Sequence, residues 1–130
     1  MILLDTHIWY WWAGESPRLT TRHHELIDQH LDDGLGLSAI SCWEVAKKHY
    51  LGKLELDRPL DQWIAEALAL PGLRLLPMSP AILVESARLP DGFRSDPADE
   101  IIIATARLHS CPLLTADQKL LEYSGVTTLA

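Results

Sequence analysis

Short apolar runs that alternate with longer stretches of helical period constrain this chain more than any other feature. Ile2–Leu4, Leu35–Ile40, Leu73–Leu76 and Leu113–Thr115 read as strands, and Val126–Leu129 as a fifth at the edge. The intervening segments carry apolar residues at helical spacing. Thr6–Ala13 is ended by Gly14, and a second helix opens at Ser16-Pro17 and stops at Asp32-Asp33-Gly34. Ser41 begins the helix CWEVAKKHYLGKL, which Gly52 closes, and Pro59–Leu70 is a further amphipathic helix. Ser79-Pro80 starts AILVESARL, Leu89–Ser95 is a polar loop, Asp96-Pro97 opens an apolar helix ending near His109, and Asp117–Tyr123 is short. Strands that alternate with helices imply an α/β fold: a mainly parallel central sheet of four to five strands, covered by helices on both faces. With 130 residues and no repeats or linkers, the expectation is a single domain over 1–130.

In such a sheet the carboxyl ends of the strands and the starts of the following helices gather at one edge, where open α/β folds bind ligands. The acids of this chain fall there. Asp5 ends the first strand, Glu44 lies in the first turn after the second, Asp96 and Asp99 open the helix before the fourth, and Asp117 follows the fourth. Several of these have a second, local reading. Ser41-x-x-Glu44 has the pattern of a capping box. Asp96-Pro97-Ala98-Asp99 is a good helix start, and Asp117 suits an N-cap. Asp5 is harder to explain locally, because it follows three apolar residues and ionising an acid there is costly. Carboxylates that repel one another tolerate proximity when a hard divalent cation lies between them.

The formal charge of −7 argues at first against a nucleic-acid partner. With the five acids just named offset by bound cations, it falls to −2. The 48% hydrophobic content is ordinary for a soluble protein, and no apolar run approaches the roughly 20 residues of a membrane span. The opening residues lack a basic segment and a cleavage site, so the expected compartment is the cytoplasm. Cys42 and Cys111 fit no zinc spacing and read as small buried residues. The six histidines form no zinc pattern either; surface or helix-end roles suit them, His7 excepted, which is two residues from Asp5.

LLDTH, SAISCWEVAKKHYLGKL, DPADEIIIATA and LLTADQKL, in that order across nearly the whole chain, resemble the PIN-domain ribonucleases, and most closely the toxins of VapBC-type toxin–antitoxin pairs. The resemblance implies a PIN-like three-layer fold and a Mg²⁺- or Mn²⁺-dependent endonuclease that cuts RNA. It makes Asp5, Glu44, Asp99 and Asp117 the four catalytic acids, which with Asp96 hold the metal. Thr115 matches the small hydroxyl residue preceding the fourth acid. It also implies a homodimer, neutralised by a VapB-like antitoxin. Thr6, Thr115, Arg94 and Lys47 are the candidate substrate contacts, with Lys48 and Lys53 close by.

Trp9, Tyr10, Trp11 and Trp12 are consecutive aromatics on one short helix. Successive residues step about 100° around it, so the four cannot share one core. Trp9, Trp11 and Trp12 are therefore candidates for a partner interface, dimer or antitoxin, ahead of base stacking on RNA, whereas Trp43 and Trp63 sit at apolar helix positions and read as core. Two other enzymes on similar sheets are disfavoured. A phosphotransfer domain needs an acceptor Asp with a paired lysine, and a haloacid-dehalogenase-like phosphatase needs DxD where this chain has Asp5-Thr6-His7. A silent PIN-fold binding module would lack one of the acids, and none is missing.

Overall fold

The computed structural model describes residues 1–130. Five strands, β1 (Ile2–Leu4), β2 (Leu35–Ser38), β3 (Leu73–Leu76), β4 (Leu113–Leu114) and β5 (Thr128–Leu129), form one sheet in the order β3-β2-β1-β4-β5. Every pairing is parallel, with Leu3 opposite both Gly36 and Leu113. The edge strand is thus part of the sheet, as its apolar run suggests. Seven helices connect the strands: α1 (Thr6–Ala13), α2 (Thr21–His30), α3 (Ile40–Tyr50), α4 (Leu60–Leu68), α5 (Pro80–Ala87), α6 (Pro97–Leu108) and α7 (Gln118–Glu122).

Alternation along the strands splits the core in two. Ile2, Leu4, Leu35, Leu37 and Leu114 point to the face covered by α1 to α4, where Ile8, Trp9, Leu26, Val45 and Trp63 pack. Leu3 and Leu113 point to the opposite face, against Ile82, Ile102, Ile103 and Leu120 of α5, α6 and α7. The expected three-layer arrangement follows from these two faces. The strand residues of β1, β2 and β4 are buried throughout, as expected for parallel strands covered on both sides. Gly36 is needed in β2: a Cβ there would stand 3.0 Å from Leu76 Cδ1 and 3.3 Å from Leu3 Cδ1.

Two helix starts differ from the sequence patterns. α2 begins not at Ser16-Pro17 but after Thr20, whose hydroxyl accepts from His23 N while His23 Nδ1 accepts from Thr20 N. Ser16 instead shapes the preceding turn, accepting from Arg18 N. The second, α3, begins at Ile40 after Ala39, which has no side-chain acceptor to cap it, and the Ser38 hydroxyl accepts from Ile40 N at 3.3 Å. No helix is long and apolar enough to cross a membrane.

Candidate active site

The order β3-β2-β1-β4-β5 reverses direction between β1 and β4, so a crevice opens at the carboxyl ends of these two strands. Asp5 leaves β1 there and serves as N-cap of α1. Its Oδ1 accepts from Thr6 N at 2.8 Å and its Oδ2 from the Thr115 hydroxyl, just past β4, at 2.7 Å. The same Thr115 Oγ1 accepts from Asp117 N at 3.0 Å. One wholly buried hydroxyl therefore fixes the first acid and the backbone of the last across the switch point.

Thr6 does similar work for Glu44. Its hydroxyl donates to Glu44 Oε1 at 2.5 Å and lies 2.8 Å from Ser41 Oγ. A hydroxyl has one hydrogen, so Ser41 must be the donor to Thr6. The chain Ser41 to Thr6 to Glu44 is buried throughout. Glu44 Oε2 pairs with Lys48 Nζ at 3.1 Å. The capping-box reading of Ser41 and Glu44 is thus incorrect, since both side chains turn to a residue on another helix. Asp96 does act as N-cap of α6, accepting from Asp99 N at 2.9 Å, and Asp117 as N-cap of α7, accepting from Lys119 N at 2.9 Å. Asp99, half-buried, accepts from the Ser95 hydroxyl at 2.6 Å through Oδ2.

The electrostatics are those of acids held together against repulsion. Burial raises Asp5 from 3.8 to about 6; hydrogen bonds from Thr115 and Thr6 oppose the shift, and the charges of Asp99 and Glu44 add to it. Asp99 also rises to about 6, through burial and the charges of Asp96, Glu44 and Asp117, against the Ser95 bond. Desolvation with like charges nearby leaves both carboxylates short of positive charge. The donors are all hard carboxylate oxygens, and Asp96, Asp99 and Asp117 each have one oxygen outside any hydrogen bond. No three of the acidic, histidine or cysteine side chains are drawn together at ligating distance. An open set of this kind fits a hard cation that keeps several waters.

The other candidates divide sharply. Thr6 and Thr115 are buried, with hydroxyls already engaged, so they position acids; their assignment as substrate contacts is corrected. Arg94 is exposed in its loop and is not in the lining of either cleft that borders the acids. One cleft, lined by Glu44 and Asp96, also carries Trp43, Lys47, Lys48 and Lys53. The other brings Asp5 and Asp117 beside His7, Trp11 and Arg18, whose guanidinium lies 5.0 Å over the Trp11 ring. Trp9 is not an interface residue. It is fully buried, packs edge-on against Trp63 at 5.1 Å between ring centroids, and donates from Nε1 to Ala67 O. Trp11 and Trp12 are half-buried against the same core. Trp63 is core as expected, whereas Trp43 is 53% exposed and the core reading for it is overturned. Cys111 is buried and Cys42 half-buried, both free thiols. Sequence patterns do not single out Ser95; its only signal is a hydroxyl four residues ahead of an acid at a helix start.

A five-stranded parallel sheet whose central strand delivers an acid to the switch point, with further acids from α3, α6 and the turn after β4, defines the class. The PIN domain signature matches residues 2–126, and the chain belongs to the PIN-domain family. It is similar to Ribonuclease VapC22 of Mycobacterium tuberculosis, 34% identical over 119 residues, which cover 92% of this chain and 88% of that protein. Among solved structures it resembles FitAcB from Neisseria gonorrhoeae, with a TM-score of 0.70 and 26% identity over 100% of this chain and 97% of that one. VapBC2 from Rickettsia felis, bound to a DNA fragment from its promoter, shares the fold, with a TM-score of 0.72 and 15% identity over 99% and 98% of the two chains.

Proposed function

We propose that this chain is a single-domain, metal-dependent endoribonuclease, the toxin of a type II toxin–antitoxin pair. It hydrolyses RNA phosphodiester bonds to leave 5′-phosphate and 3′-hydroxyl ends. The observation that carries this reading is the pair Asp5 and Asp99, from distant parts of the chain, each raised to about 6 at the switch point with Glu44 and Asp117 around them. Asp5, Asp99 and Asp117, with Glu44 and Asp96 beside them, would hold Mg²⁺ or Mn²⁺. The ion's contribution is an acidified water and charge relief at the phosphate.

The chain's own residues supply the rest. Thr115 and Thr6 hold Asp5 in one rotamer, so its lone pairs face the crevice without loss of side-chain freedom on binding. Ser95 does the same for Asp99 and leaves its other oxygen open. Lys48, paired to Glu44, places a cation where a phosphate must approach four acids. Support for an antitoxin partner comes from the VapBC and FitAB complexes that share this fold. The exposed Leu83 and Val84 of α5 offer an apolar face for a homodimer, and a cytoplasmic site of action accords with an RNA substrate.

Purified protein is expected to degrade RNA in Mg²⁺ or Mn²⁺ and to stop on chelation. Asp5→Asn and Asp99→Asn are expected to lose cleavage by at least 100-fold while keeping the native circular dichroism spectrum. Undiminished cleavage by either variant would refute the assignment.

A further inference from the structure

A cleft of about 220 Å³ runs on from Glu44 and Asp96, and the rest of its lining, which has no part in holding a metal, is unusual for this chain. Three of the four lysines, Lys47, Lys48 and Lys53, line it, although the protein carries a net charge of −7. Lys48 is paired with Glu44, but Lys47 and Lys53 have no carboxylate within salt-bridge distance and lie over no aromatic ring. Trp43, 53% exposed, lines the same cleft.

Helical geometry explains why these groups share a wall. On α3, Glu44 and Lys48 are four apart and turn toward the acids. Trp43 and Lys47 are also four apart, one step around the helix, and form the adjacent stripe. The helix therefore presents an acid of the site and, directly beside it, an unpartnered indole with a free cation. Asp96 and Pro97, at the start of α6, form the opposite wall. Trp43 and the exposed Leu51 line the same cleft, and exposed apolar side chains grouped in one place mark a contact surface. Free lysines flanking it complement a polyanion, and an aromatic face interleaved with cations is how single strands are held, base on ring and phosphate on charge.

We infer that this cleft is the subsite for single-stranded RNA on one side of the cut, with Trp43 stacking a base and Lys47 and Lys53 holding the adjoining phosphates. The inference rests on the ribonuclease reading and adds a preference for unpaired RNA at that position.

Binding is measured with the full-length Asp5→Asn protein in Mg²⁺, using a fluorescein-labelled six-nucleotide RNA of random sequence and a strand of the same length with abasic sugars. Trp43→Ala is expected to weaken binding of the base-bearing strand about tenfold or more, following the usual energy of one base on an aromatic. Trp43→Phe recovers most of that loss, and on the abasic strand the three proteins bind alike. Lys47→Ala with Lys53→Ala weakens both strands and lowers the slope of log Kd against log salt by about 1.4, the value for two phosphate contacts on a single strand. Equal binding of the base-bearing strand by Trp43→Ala and its parent overturns the proposal; if that variant also loses a protein that co-purifies with the full chain, the cleft belongs to a protein partner. The ribonuclease reading fails separately, if the unsubstituted chain does not cut this RNA, and the binding comparison still decides the cleft.

Discussion

Replacing Asp5 with asparagine should make the metal-free protein more stable at neutral pH while abolishing its chemistry. Asp5 is 6% exposed and titrates at about 6 instead of 3.8. Its folded value is raised, so its contribution to stability is intact below pH 3.8 and is lost as pH rises through about 6. Two pH units of displacement correspond to about 3 kcal/mol against the fold once the group is ionised. An asparagine removes that charge. Its amide oxygen can still accept from Thr6 N and its NH₂ can donate to Thr115 Oγ1, but the Thr115 hydrogen then loses its acceptor, at about 1–2 kcal/mol. The net gain at pH 7.5 is about 1–2 kcal/mol, or a rise in Tm of roughly 4–8 °C for a domain of this size. Near pH 4.5 only about 1 kcal/mol of the charge penalty remains and the advantage disappears. Urea unfolding in EDTA at the two pH values measures both figures, and added Mg²⁺ should raise the stability of the parent but not of the variant. A variant less stable than its parent at pH 7.5, or an advantage that does not shrink on acidification, would refute the account of Asp5 as a charge held at cost.

Thr115→Val leaves Asp5 Oδ2 and Asp117 N without their shared partner. Asp5 should titrate still higher, so the loss of activity is largest near pH 6 and smaller near pH 8, which a pH–rate profile reads directly; stability should fall by about 1–3 kcal/mol. Trp9→Ala should cost about 3–5 kcal/mol by denaturant unfolding, since the ring is buried against Trp63, whereas Trp11→Ala, on the rim, should cost about 1 kcal/mol or less.

The layers and the edge at which the acids meet were legible in the sequence because both follow from topology. Once Ile2–Leu4, Leu35–Ser38 and Leu113–Leu114 are parallel neighbours, Asp5, Glu44 and Asp117 have to arrive at the same end. What sequence periodicity misread lies mostly on α3. A helix pattern assigns apolar residues inward and polar ones outward, yet Ser41 and Glu44 are buried and Trp43 is exposed. The partner that draws Ser41 and Glu44 inward is Thr6, 35 and 38 residues away, and no local window contains it. Thr20 and His23 were missed for the opposite reason: their cap is local, but histidine is an uncommon residue in that role. Local rules are broken most often on functional ground, and on α3 they mark the site and the cleft together.

The bond between Asp5 and Thr115 joins residues 110 positions apart, and this has a consequence for synthesis. A ribosome adds about 5–20 residues per second and releases the amino-terminal strand first. That strand is the middle of the sheet, with no neighbour on one side until β4 has emerged. A nascent chain that has made Asp5, Glu44 and Asp99 still lacks the hydroxyl that aims the first of them and the acid that completes the set. The site cannot be intact until β4 and the residues that follow it have emerged. Any partner that must restrain it therefore has a brief interval, set by the closing of β4 onto β1, in which to arrive.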